Sequence, residues 1–144
     1  MTPYALAQRF VGEIRELPGN QHHPFIQWAH MLCGLGADQP DEVPWCSSFL
    51  NAIAWTLNLP RSKSAAARSW LNVGQVIELR VASPGYDVVV LKRGTHPAQG
   101  HVGLFAGLFA RPLTPPKGLY LWGGVGRGKS MLMDLFTRSE EHTS

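Results

Sequence analysis

The chain has 144 residues, 44% of them hydrophobic and 16% charged, which suits one folded domain with a modest core. Its net charge of +3 is the difference between 13 lysines and arginines and 10 acidic residues. The basic residues are dispersed along the chain, unlike those of the basic patch on a nucleic-acid-binding surface. No run of about eighteen apolar residues occurs, so the sequence predicts no membrane span. We therefore expect neither nucleic acid nor a membrane as a partner.

The first nineteen residues interleave apolar side chains with polar ones such as Gln8, Arg9 and Glu13. This pattern is typical of an amphipathic helix and differs from a signal peptide, so we expect synthesis in the cytoplasm. Only two cysteines are present, Cys33 and Cys46, which is too few for a secreted disulfide framework. One free, reactive cysteine is the alternative.

Hydrophobic spacing predicts helices first and strands afterwards. The predicted helices cover residues 3–17, 24–33, 46–58 and 64–74, and the predicted strands cover 75–82, 87–94 and 101–109. This order predicts an α+β fold in which N-terminal helices pack on a small antiparallel sheet.

A proline-rich stretch, RPLTPPK at 111–117, interrupts this organisation and reads as a junction. It separates a domain at 1–110 from a strand–loop–helix pattern at 118–137, which is followed by a polar, disordered tail at 138–144.

Cys46 stands at the predicted start of a helix, where unpaired N–H groups favour a thiolate and hold an oxyanion. His101 begins an apolar strand and offers a base that works near neutral pH. The alternative for both residues is an ordinary buried position in the core.

Four ordered blocks surround these two residues: PWCSSFLNAIAW at 44–55, KSAAARSWL at 63–71, PGYDVVVLKRG at 84–94 and GHVGLFAG at 100–107. Through them, residues 9–109 resemble papain-like cell-wall hydrolases, namely the NlpC-type peptidases and CHAP amidases, in a phage-endolysin-like branch. The resemblance implies a papain-like fold that is truncated after the strand bearing the histidine.

The same resemblance implies that Cys46 is the nucleophile and His101 the general base. They would cleave an amide bond of peptidoglycan through a thioester, as an endopeptidase or N-acetylmuramoyl-L-alanine amidase. It further implies peptidoglycan as the partner, a monomer, no cofactor, and action at the cell wall after release. The polar residue that orients the histidine in such enzymes is missing here, so an inactive wall-binding module is an alternative.

Other polar and aromatic residues carry weaker expectations. Asp41 and Glu42 either line a cleft or are solvated loop acids. The spacing of His22, His23, His30 and His96 lacks the pattern of metal ligands, so no metal site is assigned. We expect core or cleft-wall positions for Trp45, Trp55 and Trp70.

The segment GGVGRGKS at 123–130 matches the phosphate-loop pattern GxxxxGK[ST]. Backbone N–H groups at Gly123, Gly126 and Gly128 would wrap a phosphate, Lys129 would reach the β- and γ-phosphates, and Ser130 would ligate Mg²⁺.

Residues 115–136 resemble the corresponding segment of ZapE-like AAA+ ATPases, which makes an ATP- and Mg²⁺-binding protein the alternative function. A working ATPase also needs an acidic residue on a later strand, and Asp134 lies instead on the helix directly after the loop. The tail RSEEHTS resembles the translation of a sequencing adapter. One hypothesis is therefore that the chain joins a hydrolase, an ATPase fragment and adapter sequence.

Overall fold

A computed structural model describes residues 1–96 and 99–107, and the predicted junction, phosphate loop and tail lie outside them. The described elements, in chain order, are helices α1 (Pro3–Gln8), α2 (Pro24–Met31) and α3 (Cys46–Thr56), the 3₁₀ helices Ala67–Asn72 and Leu79–Val81, and strands β1 (Val88–Lys92) and β2 (Gly100–Leu104). Helices thus precede a small antiparallel sheet, as the α+β pattern predicts. The finer assignment to a papain-like fold stays a prediction.

Helix α3 forms the centre of the described part. Nine consecutive residues, Cys46–Ala54, are buried, because α1, α2, β2 and the first 3₁₀ helix all pack against α3. Phe49 is fully buried and lies 6.1 Å from the ring of Phe10 and 6.0 Å from that of Phe25, measured between centroids. These aromatic contacts join α2 and the turns that follow α1 to α3.

Helices α2 and α3 end in the same way. Gly34 and Asn58 adopt positive φ angles of 79° and 53°, the left-handed conformation that stops a helix. The following N–H groups then reach back five residues: Leu35 donates to the carbonyl of His30 at 3.1 Å, and Leu59 donates to that of Ala54 at 2.8 Å. This arrangement satisfies carbonyls that a helix end otherwise leaves without a donor.

Helix α1 is much shorter than the predicted helix over residues 3–17. After Gln8 the chain continues in tight turns, and Gly12 takes a positive φ of 84° that a regular helix does not allow. Ile14 is nevertheless buried, because the turns bring it back onto the core. The apolar spacing therefore predicted the burial of Ala7 and Ile14 correctly and the length of the helix wrongly.

Strands β1 and β2 pair antiparallel, with Val90 opposite Val102 and Lys92 opposite Gly100. Val102 is fully buried because β2 packs against α3. A side chain at Gly100 would meet the carbonyl oxygen of Leu91 on β1 at 2.9 Å and Cγ of Arg68 on the first 3₁₀ helix at 3.0 Å. Glycine therefore permits β2 to approach both elements closely at this point.

The predicted strand over residues 75–82 is wrong. Its apolar side chains are solvent-exposed, with 82% of Val76 and 63% of Val81 accessible, and only the short 3₁₀ turn Leu79–Val81 forms within it. In the described ranges, β1 and β2 pair only with each other, and residues 75–82 add no strand to their sheet. The predicted helix over 64–74 is reduced to the 3₁₀ helix Ala67–Asn72.

Asn51, which is fully buried on α3, fixes the loop that follows the helix. Its amide nitrogen donates to Ser62 Oγ at 3.0 Å and to the Ser64 carbonyl at 3.2 Å, and its Oδ1 accepts from the Lys63 N–H at 2.8 Å. Lys63 has a positive φ of 57°, so these bonds hold a conformation that the residue disfavours by itself.

Within the described residues, no helix is long and apolar enough to cross a membrane.

Replacing Asn51 with alanine should lower the free energy of unfolding by about 2–3 kcal/mol, because the loop groups lose their buried partner. Urea denaturation of the full chain measures this effect. The matched control is Asn72→Ala, at an exposed site, which should change the stability by less than about 0.5 kcal/mol. Equal stabilities of the two variants would show that the Asn51 bonds contribute nothing.

Candidate functional site

Cys46 is the first residue of α3 and is 4% exposed. Burial raises the pKa of its thiol, although N–H groups of Val102 and Ser47 favour the thiolate through hydrogen bonds. The N–H groups at the helix start thus act in the predicted direction, but desolvation is the larger effect and raises the pKa overall. At neutral pH Cys46 is therefore a protonated thiol.

His101 lies on β2 and is 6% exposed. Burial, together with the positive charge of Arg93, lowers its pKa from 6.5 to about 4. Its Nε2 atom is buried and has no hydrogen-bond partner among the described residues. The imidazole is thus neutral at pH 7 and a weaker base than a free histidine.

The structure brings Cys46 and His101 to the same interface. The Cys46 thiol accepts a hydrogen bond from the N–H of Val102, the residue next to His101 on β2, and Arg93 affects the pKa of both groups. Cys46 thus begins a helix and His101 lies on a strand, as their sequence contexts predict. Their catalytic roles stay a prediction. At neutral pH the thiol of Cys46 is protonated and the imidazole of His101 is neutral, so the pair does not form a thiolate–imidazolium ion pair.

The other acidic and aromatic residues that the sequence analysis named differ in their exposure to solvent. Asp41 is fully buried, contrary to the expectation of a solvated acid, whereas Glu42 is exposed. Trp45 and Trp70 are buried in the core, whereas 53% of Trp55 is accessible, so for Trp55 only the cleft-wall alternative stays a prediction.

His30 is a buried polar residue to which the sequence pattern assigned no function. It is fully buried and lies 2.8 Å from Ser48 Oγ through its Nδ1 atom. Burial lowers its pKa, and the nearby charge of Asp41 only partly opposes this effect. The contact joins α2 to α3 across eighteen residues of sequence, which no local pattern predicts.

The phosphate-loop residues Gly123, Gly126, Gly128, Lys129 and Ser130 lie outside the described residues. The segment that contains these residues is similar to known proteins. A family model described as AFG1-like ATPase matches residues 75–143, just under half of the chain.

Two curated relatives are the Cell division protein ZapE of Escherichia coli strain K12 and that of Escherichia coli O157:H7. Each is 73% identical to this chain over 26 residues, which are 18% of this chain and 7% of the relative. No solved structure matches the chain. The matches confirm a ZapE-like segment, and none of them is to an NlpC-type or CHAP protein.

The prediction of a cysteine peptidase or amidase is therefore wrong, because the matching family is an ATPase family. The assignments to peptidoglycan hydrolysis and to an endolysin are wrong for the same reason. The expectation that the chain acts at the cell wall depended on these assignments and loses its basis. The expectation of no cofactor is also wrong, since an AFG1-like ATPase implies a bound nucleotide. The expected partners and the monomeric state stay predictions.

The low pKa of His101 predicts a pH-dependent stability. The folded chain protonates this residue near pH 4 and the unfolded chain near pH 6.5, so the unfolded state binds more protons between these values. The free energy of unfolding should fall as the pH is lowered from 6.5 to 4, by up to about 3 kcal/mol from this residue. Urea denaturation at several pH values measures the decline.

His101→Gln should flatten that decline, leaving the smaller part that His30 contributes in the same direction. The control is His96→Gln, at an exposed position, which should keep the whole pH dependence. A decline that His101→Gln leaves unchanged would contradict the buried, neutral state of His101.

Proposed function

We propose that this chain binds ATP with Mg²⁺ through the phosphate loop at 123–130, as a fragment of an AFG1-like ATPase. The observation that carries the proposal is the 73% identity to ZapE over 26 residues, which accompanies a family match that includes the loop. The chain spans only about 7% of the length of these curated relatives. The proposal therefore concerns nucleotide binding by this segment.

The side chains of the loop have the chemistry that a nucleotide triphosphate requires. Gly123, Gly126 and Gly128 have no Cβ, which lets backbone N–H groups approach phosphate oxygens closely. Lys129 supplies a positive charge for the β- and γ-phosphates, and the Ser130 hydroxyl would ligate Mg²⁺. When bound, the metal neutralises phosphate charge.

Binding and hydrolysis make different demands on the protein. Hydrolysis needs an acidic residue on a later strand and a group that positions water, in addition to the phosphate loop. Asp134 follows Ser130 by only four positions, too few to place it on a later strand. The residues matched to the ATPase family contain the phosphate loop, so the proposal is stated for nucleotide binding.

The family match also reaches back to residue 75 and so includes β1 and β2. The matched range includes His101 but not Cys46, which precedes it. The ATPase resemblance therefore offers no common role for the pair.

Lys129→Ala should weaken binding of Mg²⁺–ATP by at least about tenfold, because the variant loses the charge that contacts the phosphates. Titration of the full chain with a fluorescent ATP analogue in the presence of Mg²⁺ measures this affinity. Ser130→Ala should reduce the dependence of binding on Mg²⁺.

The matched control is Lys117→Ala, which removes the same charge from a nearby lysine outside the motif. It should bind the analogue as the unaltered chain does. Failure of the unaltered chain to bind, or an equal loss in the Lys129 and Lys117 variants, would contradict the proposal.

A further inference from the structure

We propose that His22, Asp41 and Glu42 form a binding site for a divalent cation of the zinc class. One imidazole nitrogen and two carboxylate oxygens, one from each side chain, all lie within 4.8 Å of one another. The proposed site involves neither the cysteine–histidine pair nor the phosphate loop, so it is independent of the proposed function.

The spacing of the three donor atoms suits a single ion. His22 Nδ1 lies 3.3 Å from Asp41 Oδ1 and 4.0 Å from Glu42 Oε2. Ligand atoms held at about 2.0–2.2 Å from one Zn²⁺ ion lie roughly 3.0–3.6 Å apart. The His22–Asp41 pair already has this separation, and a small rotation of the exposed Glu42 side chain would complete the set.

Backbone hydrogen bonds fix the orientation of the Asp41 carboxylate, as is usual for a metal ligand. Its Oδ2 atom accepts hydrogen bonds from the N–H groups of Leu17, at 2.9 Å, and His23, at 3.0 Å. These bonds lower the pKa of the buried carboxyl group, although burial alone would raise it. The second oxygen, Oδ1, faces His22. One oxygen thus anchors the side chain and the other points toward the proposed ion.

The position of His22 Nδ1 suits a cation shared with Asp41. This atom lies 3.3 Å from Asp41 Oδ1 and 3.4 Å from the backbone nitrogen of Asp41. A protonated Nδ1 donates a hydrogen bond to the carboxylate, and a bound cation would take the place of that proton between the same two atoms. Neutral imidazole is the form that binds metals.

The cluster is accessible and has the appropriate charge. The His22 side chain is 25% exposed and that of Glu42 is 56% exposed, which leaves an open side for the ion and its water ligands. Two carboxylates balance the charge of a divalent cation. A mixed set of one imidazole and two carboxylates binds Zn²⁺ more tightly than Mn²⁺ and differs from the all-oxygen sets that Ca²⁺ prefers.

The ion would join two segments that are distant in sequence. His22 belongs to the segment that leads into α2, and Asp41 and Glu42 belong to the loop that leads into α3. Asp41 already connects these segments through its hydrogen bonds to Leu17 and His23. A bound ion would add a second cross-link and stabilise the folded chain.

The test is Zn²⁺ binding to the full chain without nucleotide, by equilibrium dialysis and calorimetry. One equivalent should bind, and the midpoint of thermal unfolding should rise with the Zn²⁺ concentration. Glu42→Gln should weaken binding by at least tenfold and His22→Gln by more. The controls Asp38→Asn and His96→Gln, exposed residues outside the cluster, should bind as the unaltered chain does.

Spectra of the chain with Co²⁺ distinguish this site from binding at the cysteines, because a thiolate ligand produces an intense charge-transfer band. The proposal expects no such band. A thiolate band, tighter binding of Ca²⁺ than of Zn²⁺, or Zn²⁺ binding that neither His22→Gln nor Glu42→Gln weakens would overturn it. Circular dichroism of each variant establishes that it is folded, and Glu42→Gln should fold because its side chain is exposed.

Discussion

The burial of α3 is the constraint on which the rest of the described structure depends. Because nine consecutive residues of this helix are removed from water, each polar side chain among them needs a partner inside the protein. Ser47 accepts a hydrogen bond from the Trp70 indole at 3.0 Å, Ser48 contacts His30, and Asn51 binds the loop at 62–64. The polar residues of α3 therefore position the elements around it, while its apolar residues supply the core.

The same burial explains why the chemistry inferred for Cys46 and His101 differs from the observed electrostatics. A helix N-terminus and nearby N–H groups favour a thiolate, but desolvation outweighs them and raises the pKa of Cys46. Desolvation also lowers the pKa of His101, so the proton stays on sulfur. Residue types and spacing predicted the helix start at Cys46 and the strand at His101, whereas the protonation states depend on burial, which the sequence pattern does not specify.

Local patterns predicted the parts of the fold that local interactions determine. Helix α3, the start of α2 at Pro24 and the pair β1–β2 follow from apolar spacing and turn residues. The strand predicted over 75–82 does not form, and the apolar side chains that suggested it are exposed to solvent. The phosphate loop was recognisable because its function is encoded in consecutive residues. The contacts of Asp41 with Leu17 and His23 could not be predicted, since they join positions 18 to 24 residues apart.

Amide hydrogen exchange of the full chain, read residue by residue, tests most directly whether α3 is the element on which the described part depends. The account predicts that, among the described residues, the amides of Phe49–Ala54 exchange most slowly, through global unfolding. Those of the exposed segment 75–82 should exchange at rates close to those of an unfolded chain. Exchange in α3 as fast as in 75–82 would contradict the account.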